Sequence, residues 1–478
     1  MLFNSVFFIL IFLPLFLLLW HGLKNVSHRL VILTLMSFFF YGYWDYRFVS
    51  LMFVSIVIDY WCGEKIAWNL SNNNKSRAKL WMRVSVFSNL TILGFFKYFN
   101  FFIDSLFAIL PEDGIIDKPM LEIVLPVGIS FYTFQSMSYS IDLYKGNAKK
   151  IKSFLHFSAY VSMFPQLIAG PIVRYSDISE QLNSIKTRTN YEKIMEGLKI
   201  FAIGLVRKLF IADFFAAYSD MFFAGAYDFQ FIGAWIGVIC YALQIYFDFS
   251  AYSEMAIGLG KMFGFEFPIN FNSPYKAKSF SDFWLRWHIT LSRFLRDYLY
   301  IPLGGNKLGT QRTYVNLMLT MLIGGLWHGA GWLFVIWGGL HGLYLAVERM
   351  ISRERLSKLW WYKYVVFMLV CIAWIFFRAD NLDFAMKTLR SCLFLEGIES
   401  FQGSYEIAGF AVPDFLRTYG GLKLMLALAG VFVLVRFVPN SSKLKLRFNI
   451  WTAVATAIVL YLCLLYVDRP SPFIYFQF

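Results

Sequence analysis

Long apolar runs separated by short polar loops occupy most of this 478-residue chain. They lie at 1–23, 30–44, 48–62, 84–99, 121–141, 154–172, 198–217, 231–258, 313–328, 332–347, 362–377, 420–438 and 449–467. A helix that spans a bilayer needs about 20 mainly apolar residues. The pattern therefore predicts an all-α polytopic membrane protein with about ten to twelve transmembrane helices. The run 48–62 is short, and MFPQLIAGPIVRY is interrupted by Pro165, Gly170 and Pro171. Both are expected as re-entrant or tilted pieces, which a membrane protein tolerates where backbone is buried in protein or lines a cavity. Residues 1–467 read as one membrane domain, and 468–478 as an aromatic tail.

Composition agrees with the pattern. Hydrophobic residues make up 58% of the chain, charged residues 15%, and mean hydropathy is +0.56. A soluble domain carries about 25% charged residues. The net charge of +14 would suggest nucleic acid in a soluble chain. Here the basic residues sit in short loops between apolar runs, where they set topology, and no nucleic-acid partner is expected. Residues 1–23 lack a basic start and a small-residue cleavage site, so they read as a retained span. Lys24 and Arg29 follow, which places that loop in the cytoplasm. Residues 64–83 are also basic and expected inside, whereas 104–122 carry Asp104, Glu112, Asp113, Asp117 and Glu122 and are expected outside. Arg436, Lys443, Lys445 and Arg447 mark another cytoplasmic loop. One apolar run follows it, so the 468–478 tail is expected outside. The five cysteines are scattered, with no disulfide or zinc spacing.

The chemistry concentrates between Ser279 and Gly342, which hold three of the six histidines. Ser279 and Asp282 form a capping box that opens a helix. Phe280, Phe283, Trp284, Trp287, Leu291, Phe294, Leu295 and Tyr298 recur at helical spacing, with Arg286, Arg293 and Arg296 off the stripe. This predicts one interfacial amphipathic helix. Its arginines suit either an anionic ligand or lipid headgroups. His288 sits on the apolar edge, where it is either a core residue or a functional one.

The next apolar run ends at His328, with glycines at 324, 325, 329 and 331 around it. Glycine permits close approach of backbone or ligand, so this histidine is expected to be accessible. A neutral imidazole suits removal of a proton from an attacking hydroxyl. His341 is a further candidate. Asp248 lies in QIYFDFSAYSEMAIG, where it either lines a polar path or pairs with a buried arginine. Metal-ligand and nucleotide-cradle motifs are missing from the sequence, so no metal is expected.

The stretches YFDFSAYSEMAIGLGKMFGF, FNSPYKAKSFSDFWLRWHITLSRFLRDYLYIPLGGNK, LTMLIGGLWHGAGWLFVIWGGLHG, LPVGISFYTFQSMSYSIDLYKG and FPQLIAGPIVRY resemble the membrane-bound O-acyltransferase family, in its bacterial alginate and peptidoglycan O-acetylation branch. The resemblance implies a ring of helices around a central funnel in the bacterial inner membrane, with acetyl-CoA as donor from the cytoplasm. It implies that His328 is the family's invariant histidine and that His288 occupies its second motif position. Trp287, Trp327, Asp248, Arg286, Arg293 and His341 are then expected to line the funnel. The ending FIYFQF is similar to an FxYxxF motif of acyl-export systems, which implies Tyr475 as a transient acyl carrier between Phe473 and Phe478. It further implies an extracytoplasmic, SGNH-hydrolase-like O-acetyltransferase as partner, serving peptidoglycan or an alginate-like polymer. Two other readings stay open: a lipid or protein acyltransferase of the same family, and a transporter that passes an intact solute.

Overall fold

The computed structural model describes residues 1–110, 121, 123–225, 231–394, 406–407, 410–411, 419–437, 449–467 and 472–474. Apart from a two-residue antiparallel ladder pairing Glu406–Ile407 with Phe410–Ala411, every regular element among the described residues is helical. Two continuous helices, Lys75–Phe107 and Phe231–Met262, are long and apolar enough to cross a membrane. The acidic loop at 111–120, the basic loop at 438–448 and Tyr475 lie outside the described residues.

The chain forms two compact units, one of residues 1–206, 251–269 and 446–478, the other of 207–250 and 270–445. The first unit is organised around Phe164, whose ring meets Phe12, Phe16, Phe40 and Phe263 at centre distances of 5.2–5.8 Å. Phe164 follows a break at Met163, where the helix Phe154–Ser162 ends; the four-residue turn Phe164–Leu167 then gives way to irregular chain. The proline-broken run is therefore interrupted, as its residues require. The 48–62 run departs from expectation. It belongs to a single 25-residue helix, Arg47–Ser71. Glu64 and Lys65 did not look apolar enough to extend it, yet a helix continues past polar residues where nothing breaks the backbone. A seam of polar groups is buried in this unit. Asp59 accepts from Ser85 Oγ at 2.6 Å and from Asn89 Nδ2 at 2.9 and 2.8 Å.

The second unit is built on a helical hairpin, Thr310–His328 and Trp332–Ile351, joined by residues 329–331. A methyl group on Gly325 would strike the Phe334 carbonyl oxygen, and one on Gly338 the Met321 carbonyl. Glycine at these positions lets the two backbones touch. The helix Tyr362–Arg378 packs against the second arm of the hairpin. The segment before the hairpin is not one helix. Phe280–Trp284 and Ile289–Leu295 are two short helices, separated at His288, which has φ +41° and ψ +55°.

Candidate active site

The left-handed turn at His288 is held by a neighbouring strand of irregular chain. Ile289 N–H donates to the Asn270 carbonyl at 2.9 Å, and Asn272 N–H to the Arg286 carbonyl at 2.9 Å. A non-glycine residue in this conformation is strained and persists only where its surroundings over-determine it. The Asn270 side chain supplies the rest. Its Oδ1 accepts from the Thr290 N–H at 3.2 Å and from Thr290 Oγ1 at 2.9 Å. A backbone N–H can only donate, so this atom is the amide oxygen. It faces His288 Nδ1 at 3.1 Å, so Nδ1 carries the hydrogen and Nε2 the lone pair.

His328 is the last residue of its helix and is 3% exposed. Its ring is enclosed by Trp337 at 5.0 Å, Trp327 at 5.1 Å, Phe377 at 5.3 Å and His288 at 6.3 Å. The structure thus brings His328, His288 and Trp327 into one aromatic box, and Trp337 and Phe377 complete it. Trp287 packs behind, against Phe271 and Trp374. The glycines around His328 do not open it as expected. Gly325 serves hairpin packing, and the space beside Gly329 is filled by the Phe334 ring.

The remaining candidates take other positions. His341 is fully buried, stacked parallel to Phe283 at 5.8 Å and edge-on to Trp337 at 4.9 Å. Asp248 pairs with Lys208 at 2.6 Å, and Lys208 also holds Asp213 at 2.8 Å. Of the two alternatives for Asp248, a polar path or an ion pair with arginine, the structure shows an ion pair, with lysine as the partner. Arg286 is bound to Asp282 at 2.8 Å and to the Asn272 carbonyl at 3.1 Å. It braces the turn below His288. Arg293 is exposed.

One buried carboxylate escaped the sequence reading. Glu348, 1% exposed, accepts from Phe280 N–H at 2.6 Å, Ser281 N–H at 3.2 Å and Ser281 Oγ at 2.9 Å. Tyr362 Oη donates to it at 3.2 Å. It caps the helix that leads to His288, although Ser279 also caps that helix by accepting from Asp282 N–H at 3.0 Å. Among the described residues, no group of three or more His, Cys, Asp or Glu side chains is arranged to hold a metal.

The chemistry available here is acid–base. Two imidazoles share a buried aromatic enclosure, one with its tautomer fixed. Such a site can hold a proton and pass it on.

Residues 147–378 match the sequence model of MBOAT, the membrane-bound O-acyltransferase family. The chain is 45% identical to a probable alginate O-acetylase of Azotobacter vinelandii, over 81% of this chain and 77% of that one. It is 39% identical to the corresponding protein of Pseudomonas putida over the full length of both. It is 41% identical to a peptidoglycan O-acetyltransferase of Helicobacter pylori, over 86% of this chain and 83% of that one. The protein is an acyltransferase, and it belongs to the membrane-bound O-acyltransferase family.

Proposed function

We propose that this acyltransferase moves an acetyl group from cytoplasmic acetyl-CoA across the bacterial inner membrane, for O-acetylation of an envelope polysaccharide. The observation that carries the reading is the pairing of His328 with His288 in one aromatic box. The relatives named alginate O-acetylase and peptidoglycan O-acetyltransferase supply the acyl group and the acceptor class. In the proposed architecture, about ten to twelve spans form a ring around a funnel that holds this box.

His328 takes the proton from the Tyr475 hydroxyl as its oxygen attacks the thioester carbonyl. The C–S bond breaks, an ester forms on Tyr475, and the proton passes to the departing CoA thiolate. His288, with its lone pair on Nε2, accepts a second hydrogen bond within the enclosure. A thiol has a pKa near 8.5 and a tyrosine phenol near 10, so transfer from thioester to tyrosyl ester moves the acetyl to a poorer leaving group. Sugar hydroxyls continue that direction. An extracytoplasmic, SGNH-hydrolase-like partner then carries the acetyl from the ester to the polymer.

The test is turnover. Protein reconstituted in nanodiscs is given acetyl-CoA and free thiol is measured, with the extracytoplasmic partner present. Wild type is expected to release CoA and His328→Ala to release none above background. Passage of an intact solute without CoA release would favour a transporter.

A further inference from the structure

The first unit carries a cleft of about 400 Å³ that the acid–base site does not use. Three segments wall it: the end of the first helical run near His21, the loop 184–190, and residues 261–266. Arg29, Lys186, Arg188, Lys193 and Lys261 line it against a single carboxylate, Glu266.

The cleft is braced, not a chance gathering of surface charge. The Arg29 guanidinium donates to the carbonyls of Leu23 at 2.7 Å, Lys186 at 2.9 Å and Thr187 at 2.7 Å. Its central carbon Cζ lies 5.4 Å from the centre of the Trp20 ring. That buried arginine fixes the loop from which Lys186 and Arg188 project. On the opposite wall, Gln181 Nε2 donates to the Glu266 carbonyl at 3.1 Å, and Glu266 N–H donates to Gln181 Oε1 at 2.7 Å. His21 Nε2 lies 3.0 Å from the Met262 carbonyl.

The charge is not internally balanced. Lys193 holds Glu266 at 2.8 Å, which keeps that carboxyl below the usual carboxylate range. Lys261 is paired with Glu196. Among the described residues, Lys186 and Arg188 have no acidic partner. A rigid concavity with two unpaired cations and further cations around it is complementary to phosphate. Its volume falls in the range of small-ligand sites, about 300–1,000 Å³. Arg29 sits in the first turn of the helix Val26–Gly42, and its end of that helix is expected on the cytoplasmic face.

We propose that this cleft binds the phosphate-bearing end of the CoA donor, with Lys186 and Arg188 gripping its phosphates. The inference rests on the acetyl-CoA reading above. Anionic lipid headgroups share the same chemistry, so the experiment separates the two sources.

The probes are CoA and adenosine 3′,5′-bisphosphate, titrated into full-length protein in nanodiscs of purely zwitterionic lipid and in nanodiscs containing phosphatidylglycerol. Both probes are expected to bind in both lipids. Lys186→Ala combined with Arg188→Ala is expected to weaken both at least about tenfold and to raise the KM for acetyl-CoA in parallel. Lys186→Arg with Arg188→Lys, which keeps the charge, is expected to retain most of the affinity. Unchanged CoA affinity and KM in the alanine variant would overturn the proposal and leave acetyl-CoA use intact. An effect confined to phosphatidylglycerol nanodiscs would overturn it in favour of a lipid site. Wild type that neither binds CoA nor turns over acetyl-CoA would remove this inference and the function it rests on together.

Discussion

The rings of His288 and His328 stand 6.3 Å apart, centre to centre, inclined at 65°. With its Nδ1 hydrogen committed to Asn270, His288 presents Nε2 to the enclosure as an acceptor, so it can take a hydrogen bond but cannot polarise a carbonyl. His328→Ala is expected to lower turnover by about 10²–10⁴-fold, the usual worth of a positioned general base. Its unfolding temperature should fall somewhat, because a buried ring is truncated, but the protein should stay folded, and a collapse of the fold would reassign His328 to packing.

His288 separates shape from chemistry. Asparagine tolerates the left-handed conformation that φ +41° demands, whereas a β-branched residue does not. His288→Asn should keep near-normal thermal stability while losing most activity. His288→Val should lose both. Wild-type activity in His288→Asn would show that the imidazole itself does nothing.

Asn270 tests the tautomer. Asn270→Ala removes the acceptor for His288 Nδ1 and both Thr290 donors. Turnover should fall about 10–100-fold, the range seen when a group orienting an active-site histidine is lost. The plateau of the rate–pH profile should fall or its limb shift. A change in stability alone, with an unaltered profile, would make Asn270 a structural residue only.

Much of this was legible in the residues, and the failures share one cause. Helical content, the Pro165 break and the cap at Ser279 follow from local pattern. The single amphipathic helix predicted across His288 does not exist, because its break is imposed by Asn270, which is distant in sequence. Periodicity sees only neighbours. The partner of Asp248 is Lys208, on another segment, and Glu348 caps a helix that begins 68 residues earlier. Glycines 325 and 329 read as open space, yet Phe334 occupies that space. Spacing identifies a small residue but not what approaches it.

Glu348 has a measurable structural task. Glu348→Gln replaces one oxygen with an amide donor facing the backbone N–H groups of Phe280 and Ser281. A loss of about 1–3 kcal/mol is expected, from the buried donors left unsatisfied. Thermal unfolding in detergent checks this, and an unchanged midpoint would contradict it.

The buried pair Lys208–Asp248 gives a second stability test. Asp248→Leu alone should cost less than the about 3–5 kcal/mol of an uncompensated buried charge, because Lys208 still holds Asp213, and adding Lys208→Met should recover part of that loss. Activity that is lost in the double variant despite recovered stability would move Asp248 into the reaction path.

The proposed relay through Tyr475 is tested most directly by intact mass spectrometry of the C-terminal peptide after exposure to acetyl-CoA. Wild type is expected to carry an acetyl adduct on Tyr475, with none in Tyr475→Phe or His328→Ala. An adduct that persists in Tyr475→Phe would place the carrier elsewhere and contradict the relay.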